Sequence, residues 1–160
     1  MPDGRLYYWD ANIFLYYLNG DLTRLPTLDA ILEDVSNNSK DRIVTSVLSK
    51  VEVAWVATEK NTRVLSPDEE ARIDALWNDP SVIELVDLSD EITYIARSLL
   101  WRSMARGWDG LKANDAIHLA TAEWIGAFEM HTYDTTLFRY GELIGLDVKI
   151  PIAAQFDPGL

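Results

Sequence analysis

The sequence predicts an α/β protein with a short, mostly parallel central sheet covered by helices, and three observations carry that expectation. Apolar runs too short for helices recur near residues 5–9, 43–45, 82–86, 129–133 and 148–150. Between them lie longer stretches with apolar residues at helical spacing. Glycines, prolines and capping residues mark most of the junctions. Strands separated by helices are joined by crossovers, which pair them in parallel and place helices on both faces of the sheet. With 160 residues and no long Pro/Gly/Ser stretch, one domain spanning 1–160 has enough chain for a real core.

Each element has its own local reason. Residues 5–9 are rich in aromatic side chains and read as a buried strand, with Asp10 at the carboxyl end, the edge where open α/β sheets place ligands. Ala11 to Leu18 continue as a helix that stops at Asn19-Gly20. Pro26 to about Ser36 form a second helix, with Leu28, Ile31, Leu32 and Val35 on one stripe. Ile43-Val44-Thr45 is a second strand. Ser46 then caps a helix to about Glu59, with Leu48, Val51 and Trp55 as its core side and Glu52 at the margin of that stripe. Ser66-Pro67-Asp68-Glu69 is a capping box with proline at the first helical position, starting a helix to Trp77. Val82 to Val86 alternates weakly as a strand, and Asp90 to Arg106 is the longest helix, stopped by Gly107. Asp115 opens an alanine-rich helix to about Ile125, ended by Gly126, where the helix dipole favours a carboxylate in the first turn. Glu129 to Tyr133 is a strand with Asp134 at its exit, and Val148-Lys149-Ile150 is a last short strand before Pro151.

Composition narrows the function. The absence of cysteine excludes disulfides, thiol catalysis and cysteine-ligated zinc. The first twenty residues carry Asp3, Arg5 and Asp10 and lack a signal-peptide pattern, and no uncharged run reaches membrane-spanning length, so a soluble cytoplasmic protein is expected. The net charge of −12 speaks against a nucleic-acid partner until its distribution is considered. Residues 66–91 hold nine acids against Arg72 alone, whereas residues 92–114 hold Arg97, Arg102, Arg106 and Lys112 against Asp109. The basic segment, just before Asp115, is expected to face a polyanion, and the acidic one to face away or toward a basic partner. Solvated helix faces of opposite sign are the plainer alternative.

Four acids stand beside apolar runs: Asp10 after Leu6-Tyr7-Tyr8-Trp9, Glu52 within Val47 to Trp55, Asp115 before Ala116-Ile117-His118-Leu119-Ala120, and Asp134 after Met130-His131-Thr132-Tyr133. Carboxylates embedded in core-forming segments cost several kcal/mol to desolvate unless paired or metal-bound. A parallel sheet can bring all four to one edge. There, two carboxylates about 4 Å apart repel by roughly 4 kcal/mol at an effective dielectric of 20, so something positive must hold the cluster. Two histidines and no cysteine make a poor zinc set, which leaves hard-oxygen ions such as Mg²⁺ or Mn²⁺. Metal-assisted phosphodiester hydrolysis is the chemistry this inventory suits.

The contexts of the acids are more specific than their spacing. Tyr8-Trp9-Asp10-Ala11-Asn12-Ile13-Phe14-Leu15, Thr45-Ser46-Val47-Leu48-Ser49-Lys50-Val51-Glu52-Val53, Asn114-Asp115-Ala116-Ile117-His118-Leu119-Ala120-Thr121-Ala122 and His131-Thr132-Tyr133-Asp134, in this order, resemble the PIN domain and most of all its VapC-type ribonuclease branch. The likeness runs from Leu6 to about Ile150, with the first and third segments the most specific. It implies a three-layer α/β/α fold that gathers Asp10, Glu52, Asp115 and Asp134 around one or two Mg²⁺ or Mn²⁺ ions to cleave RNA. Asn12, Ser46 and Thr132 match polar positions that line or support that site. As plainer alternatives, Asn12 caps the helix after Asp10, Ser46 serves only as an N-cap and Thr132 is an ordinary strand residue. The resemblance further implies a toxin of a toxin–antitoxin pair, a homodimer, and a VapB-like antitoxin that blocks the acidic site. Arg102, Arg106 and Lys112 are the candidates for gripping RNA phosphate.

Other readings stand beside this one. A catalytically silent PIN-fold module and a housekeeping RNA-processing nuclease share the same motifs. A phosphatase with Asp10 as covalent nucleophile lacks the second aspartate two residues on, where Asn12 stands. His118 reads as a packed, hydrogen-bonded core histidine, and His131 has no nucleophile elbow to serve. Most of the six tryptophans are expected in the core or a subunit interface, with Trp108 in a loop as the exception that could stack on a base.

Overall fold

A computed structural model describes residues 4–37, 40–55 and 66–153. Five strands, β1 (Leu6–Trp9), β2 (Arg42–Ser46), β3 (Ile83–Val86), β4 (Glu129–His131) and β5 (Asp147–Lys149), form one sheet in the order β3-β2-β1-β4-β5. Every adjacent pair is parallel. Each connection must therefore cross a face of the sheet, and the described helices do this: α1 (Ala11–Leu18), α2 (Leu25–Asn37), α3 (Leu48–Trp55), α4 (Pro67–Ala75), α5 (Asp90–Ala105), α6 (Ala113–Trp124) and the single turn α7 (Gly141–Ile144). The expected α/β/α layering is present.

Strand alternation sorts the core into two halves. Trp9 and Ile43 point to one face, where Ile13, Phe14, Leu28, Ile31, Val35, Ile73 and Trp77 cover them. Tyr8, Met130 and Val148 point to the other, against Ile92, Leu99, Leu119, Tyr140 and Leu143. Phe14 and Trp77 meet edge-on with ring centroids 5.1 Å apart.

Local signals act as expected at most boundaries. Ser66 Oγ accepts from the Glu69 N–H at 3.2 Å while Glu69 Oε2 accepts from the Ser66 N–H at 2.8 Å, so the capping box is complete. Gly107 and Gly126, at φ 72° and 66°, take the left-handed conformation that ends α5 and α6. The strand expected through Tyr133 ends at His131, because Thr132 and Asp134 turn the chain into a 3₁₀ helix (Thr135–Tyr140) that the sequence reading did not anticipate.

The inward side of α3 differs from the expectation. Val51 and Trp55 are exposed (66% and 58%), whereas Ser49 and Val53 are buried. Both pairs have i, i+4 spacing, so periodicity alone cannot choose between them. The choice falls to Ser49, whose hydroxyl lies 2.7 Å from Thr45 Oγ1 and draws the helix onto β2. The expected extension of this helix to Glu59 lies outside the described residues. Of the tryptophans, Trp9 and Trp77 are buried in the core, while Trp55, Trp101 and Trp124 are half or more exposed. Trp108 is partly buried and packs edge-on against Tyr140 at 5.7 Å.

Candidate active site

In a parallel sheet all strands end at the same edge, and the central strand β1 ends between the exits of β2 and β4. Asp10 follows β1, Ser46 closes β2 just before α3 and Glu52, and Thr132 to Asp134 follow β4. Asp115 joins them from the first turn of α6. That helix runs back toward the opposite end of the sheet, where the Phe128 N–H donates to Leu6 O at 2.8 Å as the chain re-enters.

Asp10 is 4% exposed and caps α1, its Oδ1 accepting from the Asn12 N–H at 3.2 Å. Asp10 therefore takes the capping role set out for Asn12, which does something else. Its Nδ2 donates to Asp10 Oδ2 at 3.2 Å and to Thr132 Oγ1 at 3.1 Å, and its Oδ1 accepts from the Tyr133 N–H at 3.1 Å. Asn12 thus laces the exit of β1 to the exit of β4. Thr132, fully buried, completes the lacing by accepting from the Asp134 N–H at 3.0 Å. Asp134 caps the 3₁₀ helix, with Oδ1 accepting from the Thr136 N–H at 3.0 Å and its hydroxyl at 2.6 Å. Ser46 Oγ accepts from the Leu48 N–H at 3.1 Å and starts α3, as an N-cap does.

Glu52 is held from α6: Asn114 Nδ2 donates to Oε2 at 2.9 Å and His118 Nε2 lies 2.5 Å from Oε1. His118 is buried and hydrogen-bonded, as the sequence predicts, but its partners are unexpected. It bridges Tyr8, whose hydroxyl lies 2.6 Å from Nδ1, to one of the four acids. Sequence reasoning gave Tyr8 and Asn114 no role in the site and His118 only a core role. A signal existed for two of them: Asn114 and His118 are four apart and share a helix face with Asp115 between them.

Electrostatics couple these groups. Burial pushes the Asp10 carboxyl up to about 7, aided by the charge of Asp115 and only partly opposed by His118, Thr132 and Asn12. Asp115 is also raised, first by burial and then by Asp134 and Glu52, against the pull of His118 and Lys112. Burial acts to raise Glu52 too, but the bonds from His118 and Asn114 outweigh it and leave the group below its ordinary value. Burial lowers His118, yet Glu52, Asp10 and Asp115 together leave it raised. Asp115 therefore couples to each of the other three acids, and His118 and Lys112 oppose the rise in its pKa.

The remaining candidates lie elsewhere. Arg102 donates to Leu143 O at 3.1 Å, and Arg106 pairs with Glu142 at 3.0 Å, so both turn to α7. His131 faces the other side of the sheet, accepting from Trp9 Nε1 at 2.9 Å and meeting Glu129 Oε1 at 2.7 Å. Among the described residues no three His, Asp or Glu side chains are drawn together tightly enough to hold an ion as they stand. The donor chemistry nonetheless fits a hard divalent cation: the carboxylates are hard oxygen donors at one edge of the sheet, and Asp10 is buried there beside the charge of Asp115.

Comparison with known proteins agrees with the fold. The chain resembles in fold the solved structures of VapBC2 from Rickettsia felis bound to a DNA fragment from the promoter (TM-score 0.66, 19% identity, 89% of this chain and 96% of that chain covered). It also resembles FitAcB from Neisseria gonorrhoeae (TM-score 0.65, 18% identity, 91% and 97% covered). No curated protein matches the sequence. The family model of the PIN domain matches residues 7–143, which include all four acids and the elements that carry them, and the chain therefore belongs to the PIN domain family.

Proposed function

We propose that this protein is a divalent-metal-dependent endoribonuclease of the VapC type, the toxin of a toxin–antitoxin pair, with Asp10, Glu52, Asp115 and Asp134 as the metal-holding and catalytic acids. The observation that carries this reading is the burial of Asp10 beside Asp115, which couples in turn to Glu52 and Asp134, an arrangement that a bound cation relieves and that a purely structural role does not require. When bound, Mg²⁺ or Mn²⁺ supplies Lewis acidity toward water and phosphate. The residues prepare for it: Asn12 and Thr132 orient Asp10, Asn114 and His118 orient Glu52, and Asp10 gives up its proton as the site is loaded. Lys112, whose charge lowers the Asp115 carboxyl, draws phosphate toward the edge. Arg102 and Arg106 join it only by leaving α7.

Family membership supports nuclease activity, and the likeness in fold to VapBC2 supports a VapB-like antitoxin as partner. A homodimer in the cytoplasm completes the reading, in keeping with the absence, among the described residues, of any helix long and apolar enough to cross a membrane. The test is cleavage of a mixed RNA pool with Mg²⁺ or Mn²⁺ and with EDTA. The wild type is expected to cut only with metal and Asp10→Asn and Asp115→Asn to lose cleavage; activity retained by both variants sinks the proposal. A catalytically silent module is the second reading, favoured because, among the described residues, no three His, Asp or Glu side chains lie close enough together to hold an ion. Calorimetric titration showing no Mn²⁺ uptake, together with an inert RNA assay, would establish it instead.

A further inference from the structure

A buried chain of hydrogen bonds runs from β2 through β1 and α6 to Glu52. The Ser46 N–H donates to the Tyr8 hydroxyl at 3.2 Å, that hydroxyl lies 2.6 Å from His118 Nδ1, and His118 Nε2 lies 2.5 Å from Glu52 Oε1. A carboxylate can only accept, so Nε2 is the N–H that donates to Glu52. The partners are 38, 110 and 66 residues apart in the chain, so the brace exists only because four elements meet. We propose that His118 is the positioning residue for Glu52, with Tyr8 holding the imidazole so that Nε2 fixes the carboxylate at the site edge.

Three features favour a positioning role over mere satisfaction of buried polar atoms. Glu52 needs an external hold: it sits on α3, which packs through Ser49 and Val53, and a glutamate left alone samples several rotamers. Both of its carboxylate oxygens are engaged by α6, the helix that also carries Asp115, so the second and third acids are held in a fixed relation. Tyr8 and His118 are 0% and 1% exposed, which leaves no water to stand in for either. Metal sites depend on such outer contacts nearly as much as on the ligands, and losing one weakens metal affinity by about 10–100-fold.

This inference rests on the reading of Glu52 as a metal-holding acid, and its experiment separates the two. Mn²⁺ affinity is measured by calorimetry on metal-free wild type, Glu52→Gln, His118→Ala, His118→Gln and Tyr8→Phe, each with a thermal melt. Expected are a loss of about 10–100-fold for His118→Ala, recovery to within about fivefold of wild type for His118→Gln, whose amide still donates to Glu52, and a loss of about three- to fivefold for Tyr8→Phe. A merely structural histidine would move the melts without this order of affinities. Wild-type affinity in His118→Ala, or a His118→Gln as weak as His118→Ala, overturns the positioning role while a weakened Glu52→Gln leaves the site reading intact. Should His118→Ala not fold, wild-type affinity in both Tyr8→Phe and His118→Gln overturns it. Wild-type affinity in Glu52→Gln overturns the metal role of Glu52 itself.

Discussion

Replacing Asp10 with asparagine is expected to stabilise the metal-free protein. Asp10 is 4% exposed, and its carboxyl stands at about 7 against an ordinary 3.8, chiefly through burial. A folded-state pKa above the unfolded one means that the fold favours the protonated form. The associated stability is fully present below about pH 4 and is lost as the pH rises through about 7. Three pKa units at about 1.4 kcal/mol each set a ceiling of about 4 kcal/mol on the cost of the charged form at pH 8. Asparagine carries no charge and keeps one oxygen for the Asn12 N–H, but its amide nitrogen meets Asn12 Nδ2, another donor, which forfeits about 1–2 kcal/mol. A net gain of about 2 kcal/mol remains, equivalent to a rise of about 4–8 °C in Tm for a domain of this size. Calorimetric melts in EDTA at pH 8 and pH 4.5 provide the assay. The variant should melt higher at pH 8, and the gap should close at pH 4.5, where the wild-type carboxyl is itself neutral. A variant that melts at or below wild type at pH 8, or a gap equal at the two pH values, refutes the claim that Asp10 is held at a cost in the metal-free fold. Such a cost is expected of a functional carboxylate, since stability is sacrificed where charge is needed.

Two further outcomes test the scaffold. Leu99→Ala, at a fully buried position of α5, should lower stability by about 2–5 kcal/mol in a denaturant titration with the slope unchanged. Ser66→Ala removes one half of the capping box on an exposed helix end and should cost only about 1 kcal/mol, with no effect on RNA cleavage.

Much of the fold was legible because its causes are local. The Ser66 cap, the glycines after α5 and α6, and the stripe of Leu28, Ile31 and Val35 act through neighbours within a turn, so reading along the chain finds them. The 3₁₀ helix after β4 escaped because it depends on Asp134 capping its own successors rather than on any apolar period. Val51 and Trp55 were assigned inward because two equivalent stripes on α3 offer the same spacing. The four acids could be singled out as desolvation liabilities. Their neighbours on the page of sequence, however, say nothing of which groups face them in space.

By itself, the sequence determined the alternation of strands and helices, the parallel pairing that follows from it, and the edge to which Asp10 and Asp134 belong. These rest on hydrophobic period and capping, which are properties of short segments. Tertiary structure decided who meets whom. Placing β1 between β2 and β4 lets Asn12 reach Thr132 and lets Tyr8 and His118 reach Glu52. It also turned Arg102 and Arg106 to α7 and His131 to the opposite face. Side-chain pairing between residues a hundred positions apart depends on strand order and helix placement, which no local period encodes.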